Sequence, residues 1–291
     1  MTTTLGKSCL AAVGAVLILV HGWDVPLSAT VDYGRTPVLL VHGHGMSSGT
    51  WRPMIRYLVS LGYPIEYLHA VDIMPNTMAN VEAATKVLEP AATLLLERAK
   101  AAARNAGYQG GVSQRVDIVA HSMGAVSSRW YAAKLHPELV RTWISIAGSN
   151  HGTDVLCGYH DEAAREMCPA FAADSTTNPV QVSLNGTAAA PLDETPYGLG
   201  ADRDVVAPVP PDEARRILYF TIRLESDEWI KPERSAILDG AGGAAVRVSS
   251  VLPAVETRPG NFLLRAPMRH DPLLEHPDLM RLVASLLAGS H

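Results

Sequence analysis

The stretch Val116-Asp-Ile-Val-Ala-His-Ser-Met-Gly-Ala-Val-Ser-Ser-Arg-Trp-Tyr-Ala132 decides how the rest of the chain is read. A run of strand-forming residues ends at Ala120, and a helical pattern of apolar positions begins directly after Ser122. Between them stands Ala120-His121-Ser122-Met123-Gly124, a strand-turn-helix bend with alanine in place of the first glycine of the G-x-S-x-G pattern. Small residues two positions either side are a steric requirement. A serine on so tight a bend takes strained backbone angles, and larger neighbours would collide. The bend lifts the Ser122 hydroxyl clear of the sheet, aims the Met123 N–H at the same space, and sets a helix N-terminus behind it that favours negative charge. Ser122 is therefore the expected nucleophile.

Outward from this centre, strand-like and helix-like segments alternate. Strands are expected at 38–41, 66–71, 116–120, 141–147, 216–224 and 245–252. Helices are expected at 51–61, at 78–105 with a bend near Pro90, at 123–135, and at 278–287. Such alternation implies an α/β fold, with a mostly parallel sheet covered by helices on both faces. Residues 149–212 interrupt it with a stretch rich in Pro, Gly, Asn, Asp and Thr, expected to be an excursion at the catalytic edge and a candidate lid. No repeat, low-complexity tract or linker marks a second domain, so a single domain over 30–291 is expected.

Residues 38–46 (VLLVHGHGM) form a strand ending in His-Gly-x-Gly, where a second donor to an oxyanion belongs. Gly43 and Gly45 allow the backbone to turn the N–H of His44 toward a substrate carbonyl. A similar Val20-His21-Gly22-Trp23 follows an earlier apolar run but lacks the second glycine. His42 and His44 stand two apart without an accompanying ligand cluster, so no metal is expected there.

An acid is expected after strand 216–224, where Asp227 is the preferred residue. Asp204 is the rival, with Glu225 and Glu228 behind it. The base is expected in the loop before the last helix. His270 is preferred there to His276, which adjoins Pro277 and reads as the start of the helix. The order Ser, Asp, His is that of α/β-hydrolases. His121 reads as packing for the bend. His151, after another strand, reads as a wall of the site or a loop residue.

Composition and termini bound the remainder. The 291 residues are 47% hydrophobic and 18% charged, enough apolar material for a large core. A net charge of −5 and a pI near 6.1 give no basic face for nucleic acid. Few aromatic residues argue against a carbohydrate-stacking module. Lys7 precedes the apolar run Cys9–Val20, and small residues follow at Ser28-Ala29. That layout is a signal peptide cleaved near Ala29, too short for a membrane span; the alternative is a first core strand at VLILVHGW. Export would leave Cys157 and Cys168 as a pair, expected to form a disulfide.

Taken together, AHSMG at 120–124, VLLVHGHG at 38–45, SNHGTD at 149–154, SDEWIKP at 226–232 and HDPLL at 270–274 resemble bacterial class 2 lipases. They also resemble extracellular poly(3-hydroxybutyrate) depolymerases that carry an AHSMG bend. The resemblance covers roughly 36–150 and 214–288. It implies the α/β-hydrolase fold, an ester substrate at a lipid or polymer surface, and no cofactor. It also implies Ser122, Asp227 and His270 as a triad, with the N–H groups of His44 and Met123 as oxyanion hole. The insertion at 154–212 departs from the minimal lipases of this kind, although 184–198 is faintly similar to a segment of some secreted ones. Substrate choice is expected to lie there.

Overall fold

The computed structural model describes residues 29–172, 178–197, 216–242, 254–265 and 268–289. Residues 1–28 of the expected signal peptide 1–29, with the His21-Gly22 stretch inside it, Asp204 and the expected strand at 245–252 lie outside these residues.

Seven strands form one sheet: β1 (Val38–Val41), β2 (Leu68–Ala70), β3 (Val116–His121), β4 (Val140–Ile146), β5 (Leu218–Leu224), β6 (Ala254–Arg258) and β7 (Asn261–Leu264), in spatial order β2-β1-β3-β4-β5-β7-β6. All neighbours pair in parallel except β6 and β7, which are antiparallel. The central strands are buried on both faces, as a covered parallel sheet requires.

Alternation along each strand divides the core in two. Leu39, Val41, Ile118, Ala120 and Trp143 point to one face. There they pack under a long helical segment and under α4 (Met123–Trp130). Val38, Leu40, Val119, Ile144 and Phe220 point to the other, beneath α1 (Arg52–Ser60) and α7 (Pro277–Ala288).

The long segment expected at 78–105 is α2 (Asn80–Ala83), a π-turn at Ala84–Leu88, and α3 (Glu89–Asn105). Pro90 has no N–H to give the carbonyl four residues before it. The wider turn just ahead of it, with Glu89 N–H donating to Ala84 O, takes up the mismatch without breaking the rod.

Two elements differ from the sequence reading. The hairpin β6–β7 is a strand pair at the sheet's edge where no strand was expected. The excursion after β4 is also more ordered than expected. Its described part carries α5 (Glu162–Met167) and α6 (Pro179–Asn185), each capped by an asparagine or aspartate side chain.

Cys157 and Cys168 are joined by a disulfide, as expected. It closes a loop over a sequence separation of 11, which by chain entropy is worth about 3 kcal/mol. A Cys157→Ser/Cys168→Ser double variant is therefore expected to unfold at lower urea, with a loss of about that size. A midpoint unchanged from the parent would show that the loop is held without the bond.

Candidate active site

The carboxyl ends of β1, β3, β4, β5 and β7 lie along one edge of the sheet, the edge at which parallel α/β folds place their ligands. Each expected site residue follows one of those ends.

At the end of β3, Ser122 has φ 54° and ψ −121°, a conformation that a non-glycine residue rarely adopts. Its N–H donates to Ile146 O (3.0 Å), and its carbonyl accepts from Ala125 N–H (3.0 Å). The bend is thus locked to the neighbouring strand on one side and to the first turn of α4 on the other. Gly124 has to be glycine. A Cβ there would lie 2.5 Å from His42 O and 2.7 Å from Val41 O, both backbone atoms. Gly43 is nearly as constrained, since a Cβ on it would meet the Ser122 side chain at 2.9 Å.

Beyond β5, Asp227 is buried and its Oδ1 accepts N–H bonds from Trp229 (2.8 Å) and Ile230 (2.9 Å). Beyond β7, the buried His270 sets its Nδ1 2.9 Å from both oxygens of Asp227. With Nδ1–H donating to that carboxylate, Nε2 is the ring atom turned away from it.

The backbone of His270 is held twice more. Its N–H donates to Glu228 Oε2 (3.2 Å), and its carbonyl accepts from the His121 ring Nε2 (3.1 Å). Glu228 also takes Arg269 Nε at 3.0 Å, so it clamps the loop of His270 to the loop of Asp227. Sequence reading had ranked Glu228 only as a spare acid.

His121 sits under the bend, its ring 4.6 Å from that of His270. Burial, followed by the nearness of His270, pushes its pKa well below the ordinary imidazole value. It is neutral, with the proton on Nε2, which fits its donation to the His270 carbonyl. Ser122, His270, His44, Met46, Ser149, Thr153, Leu156, Trp229 and Ile230 line one narrow cavity of about 70 Å³. The Ser122 hydroxyl and the His270 ring share this cavity without a hydrogen bond; in free enzymes such pairs are often long and tighten around substrate. Among the described residues, neither the His44 N–H nor the Met123 N–H has an acceptor.

The chain is similar to known proteins in both sequence and fold. The family model described as Lipase (class 2) matches residues 35–173, from the approach to β1 through the bend and into the excursion. This segment is similar to the class 2 lipases. A triacylglycerol lipase of Pseudomonas fragi is 42% identical over 43 residues, 15% of this chain and 14% of that one. Among solved structures, Bacillus licheniformis lipase BlEst2 in mature form superposes with a TM-score of 0.53 at 13% identity, covering 88% of this chain and 94% of that one. Aspergillus fumigatus lipase B gives 0.52 at 19%, covering 89% of this chain and 54% of that one. The chain thus spans about half of lipase B and a small part of the Pseudomonas lipase. The two superpositions establish the α/β-hydrolase fold.

The remaining expected residues also have places. His276 caps α7, its Nδ1 accepting from Asp278 N–H at 3.2 Å, as its position beside Pro277 suggested. His151 lies outside the Ser122 cavity. Its Nδ1 faces Ser235 O (3.0 Å), its Nε2 faces Glu194 Oε1 (2.5 Å), and Phe171 stacks on its ring. That is the loop role. His42 is equally structural, with Nδ1 on Gly43 O (2.8 Å) and Nε2 accepting from Ile73 N–H (3.0 Å). It fixes the start of the His-Gly-His-Gly turn.

These buried imidazoles carry a pH dependence. Burial lowers the pKa of His42, His69 and His121, with His270 adding to the effect at His121 and Arg98 at His69. A group depressed in the folded state takes up its proton more readily when unfolded. Its contribution is whole above the unfolded value near 6.5 and declines as pH falls from there through the folded value. His136, where Glu138 and Glu89 outweigh burial, acts in the opposite sense at a more exposed position. The urea midpoint is therefore expected to fall between pH 7 and 5. A midpoint that rises over that interval would contradict the neutral, buried state of His121.

Proposed function

We infer that the chain is an exported serine hydrolase that cleaves carboxylic esters, with Ser122 as nucleophile, His270 as base, Asp227 as its orienting acid, and the N–H groups of His44 and Met123 as oxyanion hole. The observation that carries this reading is the buried Asp227–His270 pair, 2.9 Å apart, in a cavity that it shares with a serine held at positive φ. The carboxylate fixes the ring so that Nε2 faces outward as a base.

In the proposed reaction His270 Nε2 takes the Ser122 proton as Oγ bonds to the ester carbonyl carbon. The carbonyl oxygen becomes an oxyanion against the two N–H groups. The C–O bond to the alcohol then breaks, and the imidazolium returns its proton to the leaving oxygen. Water, deprotonated by the same imidazole, attacks the acyl-enzyme and releases the acid. No cofactor is needed.

The apolar walls at Met46, Leu156, Trp229 and Ile230 favour a hydrophobic acyl group. The similarity of residues 35–173 to the class 2 lipases and the name of the Pseudomonas relative support acylglycerols as the substrate class. Export rests on the signal-like N-terminal layout and on the disulfide, a bond of oxidising compartments. No described helix is long and apolar enough to cross a membrane.

A fluorophosphonate probe is expected to label this protein on the peptide containing Ser122. Nitrophenyl esters of graded chain length are expected to be hydrolysed, run beside emulsified triglyceride, polyester film and a matched amide. Labelling elsewhere, or an amide cleaved faster than its ester, would overturn the assignment. Mass spectrometry of the mature N-terminus tests export.

A further inference from the structure

His44 is flanked by two glycines, and that arrangement poses a problem for any task its N–H performs. Gly45 has φ 72° and its N–H is tied to Asn76 O (3.1 Å), while Gly43 packs against the Ser122 side chain. A peptide between two glycines turns easily, so an aimed N–H needs a restraint. Gly43 O lies in the same peptide plane as the His44 N–H, and it takes Met46 N–H at 3.2 Å and faces His42 Nδ1 at 2.8 Å, two restraints at one end of that plane.

The His44 side chain supplies a further restraint, at the other end. His44 Nε2 lies 3.0 Å from Asp161 Oδ2, across 117 positions of sequence. Asp161 is itself fixed: its Oδ1 caps α5 by accepting from Ala164 N–H at 2.9 Å. Its carboxyl is held below the usual carboxylate range because the Ala164 N–H and the His44 ring outweigh the effect of burial. It sits within the loop closed by the Cys157–Cys168 disulfide. Tyr159 of that loop stands edge-on to the His44 ring, centroids 6.0 Å apart. Thr153 and Asp154, just before the loop, are bonded to Trp229 and Lys231 of the acid's loop.

The geometry points to Asp161 as a positioning residue that holds the His44 peptide, through the imidazole, in the orientation that presents its N–H to an oxyanion. This rests on the reading of His44 as an oxyanion donor, and it gives the disulfide-closed part of the excursion a task beyond covering the site. The restraint acts on the transition state, where the oxyanion forms, and hardly on ground-state binding.

The test is a double-mutant cycle of His44→Ala and Asp161→Ala, with Asp161→Asn as the conservative variant. Alanine at 44 keeps the backbone N–H and removes the tether together with the ring's part of the cavity wall, which the Asp161 variants leave in place. Each single variant is expected to lower kcat about tenfold with KM changed less than about twofold, a part of the 100-fold or more that loss of a whole oxyanion donor costs. The double variant is expected to be no worse than either single one, because both cut the same link. The inhibition constant of phenylboronic acid, whose tetrahedral adduct places an oxygen in the hole, is expected to rise by the same factor. Asp161→Asn still caps α5 through its Oδ1 and presents an amide to Nε2, so it is expected to recover to within about threefold of the parent.

Rates are expressed per site labelled by fluorophosphonate, so a partly unfolded variant is not mistaken for a slow one. Effects that multiply in the double variant, a KM rise with kcat intact, or an unmoved boronate constant would overturn the inference. Failure of the parent to label at Ser122 would remove the underlying reading and the inference with it. A parent that labels and hydrolyses esters, beside a multiplicative cycle, would sink the inference alone.

Discussion

Ser122→Ala is expected to lower kcat on a nitrophenyl ester by about 10⁶-fold while leaving circular dichroism and the urea midpoint close to those of the parent. His270→Ala is expected to match it, because a serine without its base is as inert as a base without its serine. Asp227→Asn is expected to lose less, about 10⁴-fold. The amide would retain the packing and one acceptor, but its NH₂ facing Nδ1 would favour the wrong imidazole tautomer. His270 would remain held by Glu228 and by His121, so the ring would stay near its place with its proton on the wrong nitrogen. The double variant Ser122→Ala/His270→Ala is expected to be no slower than either single one, since the three side chains act as a unit. Folded variants that each lost only tenfold would mean that the chemistry runs through other groups. An Asp227→Asn variant as active as the parent would mean that Trp229 N–H and Ile230 N–H are the true reason for the carboxylate's burial.

Much of this site was legible before any coordinates, and for a physical reason. A nucleophile on a strained bend demands small residues at fixed offsets, and an abrupt change of period from strand to helix surrounds it. The demands of β3, Ser122 and Gly124 are therefore written locally. Asp227 and His270 were placed by chain order and by the loops they occupy, which is weaker information but was enough to prefer them to Glu228 and His276.

The β6–β7 hairpin went unread because β6 is exposed along most of its length and Asn261–Leu264 is short, so neither strand has a clear alternating period. Pro259-Gly260 between them was the available signal. Nothing local could have revealed the link from His44 to Asp161. A bond between side chains 117 positions apart leaves no mark on the period of either segment. The role of Glu228 as a clamp was hidden for the same reason. Within 149–197 the capping residues Asp161 and Asn178 were present in the sequence, but the helices they open are only six and seven residues long, too short to show a period.

Arg129 is the clearest case of a residue whose weight no pattern announces, and its replacement carries the largest expected effect on stability. It lies on α4, one helix turn and a half beyond the bend, and is completely buried. Its guanidinium donates to four acceptors in three segments: Asn150 O (3.2 Å) in the loop after β4, Asn185 Oδ1 (2.6 Å) and Leu184 O (3.0 Å) at the end of α6, and Glu194 O (2.7 Å) beyond it. It thereby ties the excursion to the helix that follows Ser122. Burial lowers its pKa, with Glu194 partly offsetting that, yet an arginine remains charged. Arg129→Met removes the donors and leaves Asn185 Oδ1, Leu184 O and Glu194 O without them, while Asn150 O keeps Asn185 Nδ2 at 2.9 Å. The expected loss is about 3–5 kcal/mol, at about 1–3 kcal/mol for each buried acceptor left without a donor. In a chain of this size that is a fall in Tm on the order of 10 °C. Arg129→Lys is expected to recover little, because one ammonium cannot reach acceptors arranged for a planar fork. Proteolysis should report where the loss falls, with cleavage appearing first in the excursion and the sheet remaining protected. A Met variant with an unchanged midpoint would show that the excursion stays seated through its own contacts, including Asn150 Nδ2 on Ala236 O and Asn178 Nδ2 on Glu166 O.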